Sequence, residues 1–282
     1  MAWSNCRATA QGARNQKVAW PLCHYRHMLN FDAVIFDMDG VITQTAAVHS
    51  RAWKKMFDEY LHYREKKYRE PFREFTHAAD YLSFVDGRPR YRGVETFLKS
   101  RGINIPFGEP QDESGEETVC GLGNRKNEFF NKVLEEDGVG VYHSTIKLIK
   151  ELLRRGVKVG VATSSKNGAP ILEKAGIAGL FATCVDGVVS ARLGLKGKPE
   201  PDIFTAASDN LGVKPHRAIV VEDAVSGVQA GRKANFGLVI GVARENNAPE
   251  LTRHGADFVV ADLSELNVDK MNQLIELKPA WR

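Results

Sequence analysis

Apolar residues occur first in a short block and then change their spacing. Ala33 to Phe36 is a four-residue apolar run, β-branched and aromatic, which reads as a buried strand of a parallel sheet. From residue 46 the period becomes helical. Val48, Ala52, Trp53, Met56, Phe57, Tyr60 and Leu61 share one face of a helix expected over 46–62. Further helices are expected around 76–85, 91–101 and 116–136, with the polar, glycine-bounded segment 108–115 as an exposed loop. No strand is expected between residues 46 and 140.

From residue 144 strands and helices alternate. The pattern gives a helix over 144–155, a strand over 157–162, a helix over 168–176 and a short strand near 182–186. A helix over 200–211, a strand over 218–221, a helix over 224–234 and strands at 238–242 and 258–260 follow. Such alternation implies a parallel sheet with helices on both faces. The expected fold is an α/β, Rossmann-type core built from residues 31–44 and 138–282, with an all-α block, residues 45–137, inserted after the first strand. An insertion at that point lies over the carboxyl ends of the strands, where a lid would sit.

Residues 1–30 fit no periodic pattern, and Met28 lies just before the first strand. They read as a disordered N-terminal extension or as an upstream start mistaken for the real one. They also carry charge out of proportion: Arg7, Arg14, Lys17 and Arg26, with no acid. Without these four, the 39 basic residues of the chain become 35, equal to its 35 acids. The net charge of +4 is therefore local, and the neutral body implies no nucleic-acid partner. No apolar run is long enough to span a bilayer. The segment has no apolar region of a secretory signal and lacks the amphipathic period of a transit peptide. The four cysteines, Cys6, Cys23, Cys120 and Cys184, have no metal-site spacing and suit a reducing, cytoplasmic setting.

The chemistry concentrates at strand ends. Asp37 and Asp39 follow the first strand at positions i and i+2, and Gly40 then breaks it. Ligands of open α/β sheets bind beyond such ends. Two acids there repel each other unless a cation, a shared proton or a phosphoryl group compensates. Thr163-Ser-Ser-Lys-Asn167 closes a second strand, Gly197-Lys-Pro-Glu-Pro-Asp202 precedes a helix, and Glu222-Asp223 closes a third strand. All should converge on one edge of the sheet.

This ordered set resembles the haloacid dehalogenase (HAD) superfamily: DxDGV at 37–41, a hydroxyl at 163, a lysine at 198 and an acid pair at 222–223. The helical block resembles that family's C1-type cap. Asp37-Met-Asp-Gly-Val-Ile-Thr-Gln-Thr45, His49, Trp53-Lys54, Ser165-Lys-Asn-Gly168, Lys198-Pro-Glu-Pro-Asp-Ile-Phe204 and the run 222–231 bring it closest to the β-phosphoglucomutase branch. The resemblance covers roughly residues 31–245.

It implies Mg²⁺-dependent phosphoryl transfer through an aspartyl-phosphate on Asp37. Mg²⁺ would be held by Asp37, the carbonyl of Asp39 and Asp223, with Glu222 beside them. Lys198 would balance charge at Asp37, Thr163 would bind phosphoryl oxygens, and Asp39 would be the general acid/base. The implied substrate contacts are His49, Arg90 and Lys126 in the cap and Ser165, Lys166 and Asn167 in the core. The expected partner is a small phosphorylated sugar and the expected state a monomer. The leading activity is β-phosphoglucomutase-like isomerisation of β-glucose 1-phosphate to glucose 6-phosphate. A sugar-phosphate phosphatase is the alternative, and a silent binding domain ranks behind both because Asp37, Asp39 and Lys198 are all present. Three departures from the branch fall where substrate is chosen: Gln44 in place of an acid, Thr163 in place of serine, and extra residues near 62–76 and 104–118.

Overall fold

A computed structural model describes residues 29–278. Residues 1–28, which make up nearly all of the expected N-terminal extension, lie outside them. Its last two residues do not hang free: Asn30 donates its backbone N–H to Asn272 Oδ1 at 2.7 Å, and the Leu29 carbonyl accepts from Arg217 at 3.1 Å.

Six parallel strands form one sheet: β1 (Ala33–Phe36), β2 (Lys158–Ala162), β3 (Thr183–Val185), β4 (Ala218–Glu222), β5 (Leu238–Val242) and β6 (Phe258–Val260). Their order across the sheet is β3-β2-β1-β4-β5-β6. The chain thus runs outward from β1 through β2 to the β3 edge and then returns to the other side of β1. This reversal makes the crevice beyond β1 and β4 the place where an open α/β sheet receives a ligand.

All four residues of β1 are fully buried, because both faces of the sheet are covered. Val34 and Phe36 pack on one face with α4 (His143–Arg154), α5 (Gly168–Lys174) and α10 (Val268–Leu277). Ala33 and Ile35 pack on the other with α7 (Asp202–Asn210), α8 (Val225–Lys233) and α9 (Ala248–Arg253). A further helix, α6 (Gly187–Leu193), follows β3 and buries none of its residues.

Between β1 and α4 lies the helical block: α1 (Ala46–Tyr68), a π-helix (His77–Val85), α2 (Arg90–Ser100) and α3 (Val119–Asp137). It has an apolar cluster of its own, in which Trp53, Met56, Phe57, Phe75, Val94 and Phe97 interlock. The base of α1 (Val48, Ala52) and the end of α3 (Phe130, Leu134) join the core under the sheet instead. Helix α1 runs six residues beyond the expected end at 62. Its polar last turns are fixed by Tyr63, Lys67 and Tyr68, which all reach Glu117 of another segment. Helices α6, α9 and α10 were not expected from the periodicity.

Candidate active site

Asp37 leaves β1 with its N–H bonded to the Val221 carbonyl of β4 at 2.9 Å. The parallel ladder therefore sets Asp37 beside the acids at the end of β4. Oxygen atoms of Asp37, Glu222 and Asp223 all lie within 4.8 Å of one another. Gly40 allows this crowding: its φ is +83°, and a Cβ there would sit 1.8 Å from Asp223 Oδ2.

Lys198 enters from the loop before α7. Its side chain is wholly buried, and Nζ donates to Asp37 Oδ1 at 2.5 Å and to Glu222 Oε2 at 2.6 Å. Burial alone would lower the lysine, but the two carboxylates outweigh it and keep the ammonium charged. Burial, with Glu222 next, pushes Asp37 well above the usual carboxylate range despite Lys198. Burial, then Asp86 and Glu222, does the same to Asp223. One cation thus faces three carboxylates, and negative charge is left over. An all-oxygen donor set with a charge deficit fits a hard divalent cation such as Mg²⁺.

Asp39 turns the other way. Oδ1 accepts a hydrogen bond from Thr45 Oγ1 and lies 3.4 Å from His49 Nε2, while Oδ2 lies 3.4 Å from Thr163 Oγ1. Burial would raise this carboxyl, yet His49 and Thr45 outweigh it and hold Asp39 low. Neighbouring acids two residues apart therefore sit in different surroundings, Asp37 on Lys198 and Asp39 on Thr45 and His49. The Asp39 side chain stands outside the acid cluster.

The remaining expected residues form the opposite wall. His49 stacks on Phe130 and meets Lys126 Nζ through Nδ1 at 2.5 Å, so both stand behind Asp39. Arg90 Nη2 and Asn167 Nδ2 both donate to Asn127 Oδ1, at 2.7 Å and 2.9 Å, joining the helical block to the strand-end loop. Ser165 lies next to Thr163, its N–H bonded to Thr163 Oγ1 at 3.1 Å, and Lys166 Nζ sits over the Tyr91 ring. Burial and then Arg90 depress both Lys126 and Lys166. Arg90, Lys126 and Lys166 line one cleft with Asp37 and Asp39. Burial and Arg90 disfavour the charge on both lysines, and an anion in the cleft would favour it.

Sequence reasoning passed over several cleft residues. Thr45 stands at the start of α1, where a hydroxyl reads as a helix cap, but it makes no cap bond and serves Asp39. Asp86 follows the π-helix, whose wide turn is closed by a bond from the Asp86 N–H to the Tyr81 carbonyl at 2.9 Å. Its carboxyl faces the acid cluster, and burial with Glu222 raises it to about 7. Asn127 carries only the signal of following Lys126.

Comparison with known proteins agrees with this fold. A family model described as haloacid dehalogenase-like hydrolase matches residues 31–235. A protein of Mycobacterium bovis named β-phosphoglucomutase is 46% identical over 237 residues, covering 83% of this chain and 90% of that protein. A Thermotoga maritima protein named phosphorylated carbohydrates phosphatase is 26% identical, covering 85% of this chain and 98% of that one. The crystal structure of a Clostridium difficile β-phosphoglucomutase superposes with a TM-score of 0.69 at 24% identity, over 89% of this chain and 99% of the other.

Proposed function

The chain belongs to the haloacid dehalogenase-like hydrolase family, in its β-phosphoglucomutase-like branch, and we propose that it transfers a phosphoryl group on a small phosphosugar through an aspartyl-phosphate formed on Asp37. Asp37 Oδ attacks phosphorus, the bond from phosphorus to the sugar oxygen breaks, and Asp39 gives that oxygen its proton. In the second half Asp39 takes the proton of the incoming hydroxyl, which attacks phosphorus and releases Asp37. Lys198 orients Asp37 and offsets charge on the phosphoryl oxygens, with Thr163 in reach of the same group. Asp37, Asp223 and the Asp39 carbonyl, with Glu222 adjacent, would hold Mg²⁺, which would supply the charge compensation a carboxylate needs to approach a phosphate dianion. Residues 45–137 act as the cap that excludes water.

The observation that carries this reading is the placement of the two acids: Asp37 stands in the acid cluster on Lys198, while Asp39 stands outside it, beside Thr163 Oγ1. The choice between isomerase and phosphatase rests on the opposite wall. Arg90, Lys126 and Lys166 suit a second phosphate, with His49, Ser165 and Asn167 positioning them and the sugar. A substrate with phosphate at both ends is the signature of mutase turnover, and the 46% identity to a protein named β-phosphoglucomutase supports it. β-Glucose 1-phosphate is the proposed substrate and glucose 6-phosphate the product. Incubation with Mg²⁺, β-glucose 1-phosphate and a trace of the bisphosphate should give mostly glucose 6-phosphate. Release of phosphate as the main product would instead assign a phosphatase, as in the name of the Thermotoga maritima relative.

Thr45 gives a second test. Its hydroxyl donates to Asp39, so Thr45→Val removes support for the ionised carboxyl. The Asp39 carboxyl then rises, and the acid limb of the kcat profile moves to higher pH by roughly one unit. An unmoved acid limb would detach Asp39 from the acid/base role.

A further inference from the structure

The loop after β5, residues 243–247, belongs to no motif described above, yet two of its side chains hold the loops that carry the acids. Arg244 Nε donates to the Gly40 carbonyl at 3.1 Å. Asn247 Nδ2 donates to the Asp223 carbonyl at 3.2 Å. The first bond falls in the nucleophile loop, next to Asp39, and the second falls on an acid of the cluster itself.

Arg244 has further partners. The Arg244 guanidinium lies 3.8 Å over the Tyr142 ring, and Nη1 donates to Asp262 Oδ2 at 2.7 Å and to the Ala261 carbonyl at 3.2 Å. Asp262 is in turn fixed by Ser144 Oγ at 3.0 Å and by the Ser264 N–H at 2.8 Å. Asn247 Oδ1 is buried and has no partner in the protein, so this amide is held by its donor side alone.

We infer that Arg244 and Asn247 are positioning residues for the cation site, bracing from the β5 loop the two loops that carry Asp37, Asp39 and Asp223. The physical reason lies in the acids. Asp37, Glu222 and Asp223 repel one another, and among the described residues only Lys198 pairs with them. Without an outside tie, the β1 and β4 loops would relax apart and lose the spacing that a small, geometrically strict cation needs. Bonds to ligating residues from outside the first layer usually govern metal affinity by ten- to a hundred-fold. Arg244 and Asn247 touch backbone carbonyls and neither substrate nor the reacting atoms, so their effect passes through the loops.

The inference rests on the Mg²⁺ reading of the acid cluster, and calorimetric titration of the full chain with Mg²⁺ separates the two. Wild-type protein that binds no Mg²⁺ would overturn the Mg²⁺ reading and the brace with it. Given wild-type binding, Asn247→Ala is expected to weaken Mg²⁺ on the order of ten-fold. Arg244→Lys keeps the charge but cannot serve Gly40 and Asp262 together, and should weaken it similarly. Glu245→Gln, on the same loop, alters only an exposed contact to His77 at 3.4 Å and should leave the Mg²⁺ affinity unchanged. Each titration is made at a temperature where a melt shows the variant folded, so lost folding cannot pass for lost affinity. Wild-type Mg²⁺ affinity in both Asn247→Ala and Arg244→Lys would overturn the brace, and so would an equal loss in Glu245→Gln.

Discussion

Asp37→Asn is expected to abolish turnover, by roughly ten-thousand-fold or more, in a protein that melts no earlier than the parent in Mg²⁺-free buffer. The two halves have one cause. Asp37 is the only carboxyl in the cluster that both ends β1 and touches Lys198, so no neighbour can replace it as nucleophile. In the folded chain, however, its ionised form is disfavoured, by burial first and by Glu222 next. A carboxyl raised on folding adds stability below its unfolded value, near 3.8, and loses it as pH rises toward the folded value. At pH 7.5 burial makes the ionised Asp37 a cost to the fold, and a neutral amide of the same shape removes that cost while its oxygen can still accept from Lys198, whose charge stays paired with Glu222. Activity assays and a melting curve on one preparation read both effects. Retained activity would refute the nucleophile. A large fall in melting temperature would show Asp37 to be structural.

Lys198→Ala should have the largest effect on stability. It removes the cation that two buried carboxylates share, Asp37 at 2.5 Å and Glu222 at 2.6 Å. Removing one partner of a buried ion pair costs about 3–5 kcal/mol, because the remaining charge is left unpaired. For a chain of this size that is a drop of roughly 10 °C in Tm. The orphaned acids then hold protons more readily, so the variant should recover stability as pH falls from 7.5 toward 5, against the parent. Mg²⁺ should restore part of the loss by binding the same acids. A change below about 1 kcal/mol would mean that the acids are compensated by groups other than Lys198.

The sheet was readable wherever its strands were short, apolar and closed by polar groups. β1, β5 and β6 fall on the expected residues, and β2 and β4 within one residue at an end. The acids at 37, 39, 222 and 223, Thr163 and Lys198 followed from the same logic, since a parallel sheet brings its strand ends together. What stayed hidden has physical reasons. Helix α6 buries nothing and leaves Val188 and Leu193 more than half exposed, so it has no apolar face to betray it. The far end of α1 owes its order to Glu117, nearly 50 residues on, a contact no local pattern announces. Helix α10 carries Val268, Met271 and Leu274 at helical spacing and could have been read.

In the site, chemistry that depends on long-range contact was the least visible. Thr45 looks like a cap until its hydroxyl is seen on Asp39. Arg244 and Asn247 look like loop polarity until their carbonyl partners are placed. The residues that would choose the sugar, Arg90, Lys126 and Lys166, are gathered from two separate segments of the helical block and from the β2 loop. Their convergence is a property of the folded chain and not of any run within it.

The central claim is the phosphoryl group on Asp37. Asp39→Asn protein should be incubated with Mg²⁺ and the activated donor acetyl phosphate, quenched in acid, and reduced with borohydride, which converts an aspartyl-phosphate to homoserine. Peptide mass spectrometry is predicted to find homoserine at position 37 in this variant and to find none in Asp37→Asn. Homoserine at another acid, or at none, would contradict the account.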